Sequence, residues 1–159
     1  LRRVGPLAAR KWAYGFRPLK LFAIPHPVAG VLPLRHLMWV THSRDTWMHR
    51  LDICRATGRT FENTPQHDGR IAALVMLDVA RLLSQKLQHG AMIFELTGAA
   101  GGVWKVGSGE ATSRVRMDVL DFTIFVSGRF SYEEALARMV ITGDIETAKP
   151  ALKSALILF

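Results

Sequence analysis

The apolar positions of this chain recur at helical spacing in its first part and in a mixed pattern afterwards. Val4, Leu7, Ala8, Lys11 and Trp12 predict a helix over residues 3–16. Pro18, Pro25, Pro27 and Pro33 then interrupt any regular element, so residues 17–33 read as an ordered loop. A long helical pattern runs from Leu34 to Thr57, and Gly58 stands where a left-handed cap is wanted. Residues 59–63 form a linker. Thr64-Pro65 pairs a hydroxyl N-cap with proline at the first helical position. Ile71, Leu74, Val75, Val79, Leu82 and Leu83 carry that helix to about Gln88.

After Gly90 the pattern shortens. Met92 to Thr97, Val103 to Val106 and Ala111 to Met117 read as strands, separated by the turns Gly98 to Gly102 and Gly107-Ser108-Gly109. Asp118 can cap a helix through Leu120, Phe122, Phe125 and Val126 to Gly128. A short helix at Tyr132 to Ala137, a strand at Met139 to Thr142 and a terminal helix after Gly143-Asp144 complete the pattern. Pro150 lies inside that last helix, which therefore kinks there or begins there. The expected fold class is α+β. Residues 1–63 form a helical part, and residues 64–159 form a small α/β domain with an antiparallel sheet and helices on one side.

Composition supports a globular chain, 49% hydrophobic and 21% charged. No apolar run approaches the roughly 18 residues of a membrane helix, so no membrane partner is expected. The single Cys54 excludes an internal disulfide and fits a reducing, cytoplasmic setting. The net charge of +8 is uneven, because the first 44 residues hold eight Lys or Arg and no acidic residue. This arm could bind phosphate groups, act as a transit peptide, or be an internal stretch whose acidic neighbours lie upstream. The last is favoured, since the chain opens with Leu1. The remaining residues are balanced, which argues against a nucleic-acid binder.

The strongest chemical signal lies between residues 42 and 52. At about 100° per residue, His42, Asp45, His49 and Asp52 fall within an arc of roughly 80°. Leu34, Leu37, Met38, Met48 and Ile53 share that face, so it is expected to point into a core. Buried charges must be paired, hydrogen-bonded or metal-bound. An ion-pair network with Arg44 or Arg50 would satisfy them. So would a divalent metal held by the Asp45-x3-His49 pair, with His26 a candidate third donor. Asp68, in the first turn of its helix, complements the helix dipole. The Gly-rich stretches lack P-loop and dinucleotide endings and read as hairpin turns. No nucleophile elbow is present.

The run Ser43-Arg44-Asp45-Thr46-Trp47-Met48-His49-Arg50-Leu51-Asp52-Ile53-Cys54-Arg55-Ala56-Thr57-Gly58-Arg59 resembles the actinobacterial mycothiol-dependent maleylpyruvate isomerase family. Pro25 to Leu34, His67-Asp68-Gly69-Arg70-Ile71, Leu96-Thr97-Gly98 with Gly102-Val103-Trp104, Phe125 to Arg129 and Thr142-Gly143-Asp144 are similar to it as well. The resemblance implies a DinB-like metal-binding helical bundle joined to a domain like sterol carrier protein 2. It implies a divalent metal, zinc, held by Asp45 and His49, with His42 and Asp52 orienting these ligands. The third ligand would be a histidine on an earlier helix with no counterpart here, which implies an N-terminally truncated chain, incomplete as an enzyme. The cosubstrate would be the thiol mycothiol, and the partners this small-molecule thiol and an anionic substrate that Arg129 would bind. The reaction would be isomerisation or thiol transfer. Missing bundle helices would expose an apolar face and favour self-association. The rival readings are an inactive fragment or a non-enzymatic module that holds an apolar ligand against Phe122, Phe125 and Phe130.

Overall fold

In the computed structural model, residues 10, 22–26, 30–84, 86–87 and 90–157 are described. They belong to two compact units, residues 1–43 and 44–159. The helix expected over residues 3–16 lies almost wholly outside the described residues.

The first unit holds strands β1 (Ala23–His26) and β2 (Gly30–Pro33), paired antiparallel with Ala23 opposite Pro33 and Ile24 opposite Leu32. The prolines predict a loop here, yet a hairpin forms. A two-stranded pair consists only of edges, and an edge position tolerates proline's missing N–H. Leu34 N then donates to Phe22 O at 2.7 Å. The chain enters helix α1 (Leu34–His36) and a π-helical segment, Leu37–Thr41. Helical backbone continues as α2 (His42–Thr57) and stops at Gly58, whose φ of 67° is the left-handed cap that the sequence predicts.

The second unit is a mixed α/β layer structure. Helix α3 (Asp68–Ser84) leads to β3 (Ala91–Thr97), β4 (Gly102–Gly107) and β5 (Ala111–Asp118). Helices α4 (Val119–Val126) and α5 (Tyr132–Leu136), strand β6 (Val140–Gly143) and helix α6 (Ile145–Lys153) follow. Asp118 caps α4 by accepting from the N–H groups of Leu120 and Asp121, and Ser131 with Glu134 forms a capping box on α5. Asp144 caps α6, which runs through Pro150 without ending there.

The sheet order is β4-β3-β5-β6, and β3 pairs with β5 in parallel. This corrects the expectation of an antiparallel sheet. Strand β5 buries Ser113, Val115 and Met117, and β3 buries Met92, Phe94 and Leu96, so these two take the centre. Strand β4, with Val103 and Lys105 exposed, goes to the edge. The turn at Gly107-Ser108-Gly109 is therefore a crossing past the start of β3 and not a hairpin. Ser108 N donates to Gly90 O there. Gly107 has φ 97°, and a Cβ on it would run into the Gly90 carbonyl. Alternate residues of β5, Arg114 and Arg116, face away from the core and both pair with Glu95.

Helix α3 packs on β4, α4 on β3 and β5, and α6 on β6. Phe122 meets Phe94 edge to face with centroids 5.6 Å apart, and Phe125 tilts against Tyr132. Both phenylalanines are fully buried in this solid core. Phe130 is half-buried under the Arg138 guanidinium, 4.8 Å from its ring centre. Among the described residues no helix is long and apolar enough to cross a membrane.

Candidate metal and anion site

Helix α2 supplies most of the candidate side chains, and its orientation departs from expectation. Its buried residues are Arg44, Trp47, Met48 and Leu51, an i, i+3, i+4, i+7 stripe. Asp45, His49 and Asp52 lie beside that stripe, with side chains 39%, 64% and 37% exposed. The expectation that their face enters a core is thus overturned. Ile53, assigned to the same face, is also exposed. The cause lies in the π-helical segment. Its i→i+5 bonding breaks the 3.6-residue phase, so Leu34, Leu37 and Met38 cannot set the face of residues beyond Thr41. His42 is exposed at the first residue of α2, within the first compact unit. The side chain of His26 lies outside the described residues.

The structure does bring four of the candidates together. His49 Nε2 lies 3.4 Å from Asp45 Oδ1. On the other side of the ring, Nδ1 faces Asp52 Oδ2 at 3.9 Å. Asp52 accepts a two-pronged contact from Arg129, Nε to Oδ1 at 2.9 Å and Nη2 to Oδ2 at 2.6 Å. Arg129 reaches this point through the end of α4. Gly128 takes φ 73°, its N–H donates to Phe125 O, and Arg129 N donates to Ile124 O. These two bonds make a Schellman cap, so the Ser127-Gly128-Arg129 sequence fixes where the guanidinium starts. The hydrogen bond from Arg129 holds the Asp52 carboxyl below its ordinary range. Partial burial opposes this, while the charges of Arg129, His49 and Arg55 assist it.

A second carboxylate anchors α2 on both sides of His49. Asp68 is 2% exposed. Its Oδ1 accepts from Trp47 Nε1 at 2.6 Å and Arg50 Nη2 at 2.5 Å, and His67 Nδ1 stands 3.3 Å away. Its Oδ2 accepts from Thr64 N at 2.6 Å and Thr64 Oγ1 at 3.0 Å. Burial alone would raise this carboxyl. The bonds from the Thr64 backbone, Trp47, His67 and the Thr64 hydroxyl outweigh it and hold the group well below the usual carboxylate range. Asp68 is therefore a buried hub and more than a complement to the helix dipole. Because Thr64 and Pro65 wind a preceding turn around it, α3 itself begins at Asp68. Arg50 also stacks on Phe61 at 4.3 Å, and Trp47 meets the same ring edge-on.

Arg44 forms the third charged contact of α2, a buried ion pair with Asp78 of α3. Burial lowers its pKa to about 10, with Asp45 pulling the other way. The sequence offers Arg44 or Arg50 as an ion-pair partner of the Asp45/His49 face and does not single out Asp78. The signal was there, since Arg44 begins the buried stripe and Asp78 falls among buried Val75, Met76 and Val79.

The donor chemistry of Asp45 and His49 suits zinc. Two atoms each about 2.1 Å from a tetrahedral zinc stand roughly 3.4 Å apart, the separation found between Oδ1 and Nε2. Among the described residues, no group of three or more His, Cys, Asp or Glu side chains is placed to hold a metal ion. Among the described residues Asp45 and His49 therefore stand as a pair, with no third such side chain beside them in a metal-holding group. No protein-family model matches this chain, and no curated protein is significantly similar to it.

Proposed function

We propose that this chain carries part of a mycothiol-dependent metalloenzyme, an isomerase or thiol transferase of the maleylpyruvate isomerase kind. On this reading the helices before Gly58 end a DinB-like bundle, and the mixed sheet with its helices is a domain like sterol carrier protein 2. The observation that carries the proposal is the convergence on one solvent-reachable spot of Asp45, His49 and Asp52 with Arg129, which lies 77 residues after Asp52.

Asp45 and His49 would hold a divalent metal, completed by a donor outside the described residues. A bound zinc would favour the thiolate of the cosubstrate. Asp52, 3.9 Å from His49 Nδ1, would act as an outer carboxylate that fixes the ring once it closes on that nitrogen. Asp68, through Trp47 and Arg50, sets the rotation of α2 and so keeps Asp45 and His49 facing outward. Arg129 supplies the positive charge for a substrate carboxylate. The thiol would add to a cis double bond, allow rotation and leave again. The reading places the chain in the cytoplasm, with a small thiol and an anionic substrate as partners. Packing of Phe122 and Phe125 into a solid core weighs against the apolar-ligand module.

The test is turnover of maleylpyruvate by the zinc-supplemented chain, with and without mycothiol. Isomerisation that requires the thiol and disappears in His49→Ala supports the reading. A rate unaffected by either omission refutes it.

A further inference from the structure

The two demands on Asp52 Oδ2 are unequal. Arg129 Nη2 holds this atom at 2.6 Å, while His49 Nδ1 faces it from 3.9 Å, about 1 Å beyond a hydrogen bond. One carboxylate therefore stands between two cationic or donor groups and satisfies only one. The Arg129 contact is the side-by-side geometry with which a guanidinium binds any free carboxylate. The pair sits where solvent reaches it, with Arg129 26% and Asp52 37% exposed.

We infer that Asp52 is an exchangeable internal carboxylate. It occupies the Arg129 guanidinium until a carboxylate ligand displaces it, and it then turns to His49 Nδ1. This rests on Arg129 as the anion-binding group of the proposed function and adds the part played by Asp52.

Three features make the exchange inexpensive. The ligand replaces Asp52 on Arg129 with bonds of the same kind. Asp52 gains a new partner at once, since His49 lies three residues back on the same helix face. Both Asp52 oxygens must swing off the guanidinium, and rotation of the side chain alone achieves this, so α2 and the α4 cap stay in place. The consequence is coupling: occupancy at Arg129 changes the hydrogen bonding of His49, a proposed metal ligand. By linkage, what binds at His49 then alters anion affinity at Arg129. Asp52 thereby acts as a positioning residue that reports the bound anion to the imidazole.

The test is an NMR titration of the isotopically labelled chain with sodium acetate, at fixed pH and at ionic strength held with sodium chloride. The Arg129 Nε–H signal, assigned by its loss in Arg129→Lys, reads occupancy. The His49 ring nitrogens read the turn of Asp52. In the wild type both sets shift together and saturably with acetate but not with chloride. In Asp52→Asn, Arg129 saturates at about five-fold lower acetate, the factor expected for removing an exposed internal competitor, and His49 no longer responds.

Arg129 shifting while His49 stays fixed in the wild type overturns the inference and leaves Arg129 as an anion site. Equal acetate affinity in the wild type and Asp52→Asn overturns it in the same way. If acetate moves Arg129 in neither protein, both the inference and the anion-binding assignment of Arg129 fail. The wild-type titration alone decides the first of these outcomes, even if Asp52→Asn does not fold.

Discussion

Replacing Asp68 by Asn keeps the shape of the side chain and removes its charge, so it isolates what the buried hub contributes. The carboxylate accepts from Trp47, Arg50 and both donors of Thr64, with His67 alongside. An amide can present only one oxygen to this set. With its NH2 toward Thr64, two donors there lose their acceptor. With its NH2 toward Trp47, the indole and Arg50 lose theirs. The charge opposite Arg50 disappears in either orientation. Breaking one side of such a buried charged network costs about 3–5 kcal/mol. With a urea slope of about 2 kcal/mol per M, the unfolding midpoint should fall by about 2 M. Far-UV circular dichroism during urea titration measures this. Arg50→Gln should cost only about 1 kcal/mol, since that guanidinium is partly in solvent.

The pH dependence has a definite sign. The folded carboxyl lies well below the unfolded one, which titrates near 3.9. Its contribution is therefore fully present above about pH 5 and fades as pH falls through the depressed folded value. The gap between wild type and Asp68→Asn should be constant from about pH 5 to 8 and shrink below about pH 4. A midpoint shift under about 0.3 M at pH 7 would refute the reasoning.

Other expectations follow from the packing. Arg44→Met removes the cation paired with buried Asp78 and should cost about 3–5 kcal/mol, whereas the double change with Asp78→Leu should recover most of it, a non-additivity read by the same urea titrations. Gly107→Ala meets the Gly90 carbonyl at a positive φ and should destabilise by more than about 2 kcal/mol. Gly58→Ala, with open space at its Cβ, should lose only about 1 kcal/mol; similar losses at the two glycines would contradict the crossing at β3. Asp52→Ala should weaken zinc binding by about 10-fold or more when acetate occupies Arg129, and by less without acetate, as equilibrium dialysis would show.

The helical and strand periods placed α3, β3, β4, β5 and α4 within a few residues, because each carries its own apolar period and its own cap. The neighbour of β5 was not legible. Alternation in Ala111–Asp118 says which face is buried but not which strand lies beside it, and a three-residue connection from Gly107 suggested a hairpin. The orientation of α2 was misread for a different reason. Leu34, before the π-helical segment, and Leu37 and Met38, within it, were counted in α-helical phase with residues after it. Arg44, as a charged residue, was left out of the stripe that it begins. The proximity of Asp45, His49 and Asp52 follows from their i+4 and i+3 spacing and was legible. The arrival of Arg129 depends on how α4 packs and on the Gly128 cap, and no local pattern carries it.

The most direct test of the account is the zinc content of the purified, dialysed chain and of His49→Ala, with circular dichroism confirming that both are folded. The account predicts about one zinc per wild-type chain and loss of that zinc in the variant. A well-folded wild type that holds no zinc, or a variant that retains it, would contradict the claim that Asp45 and His49 bind a metal.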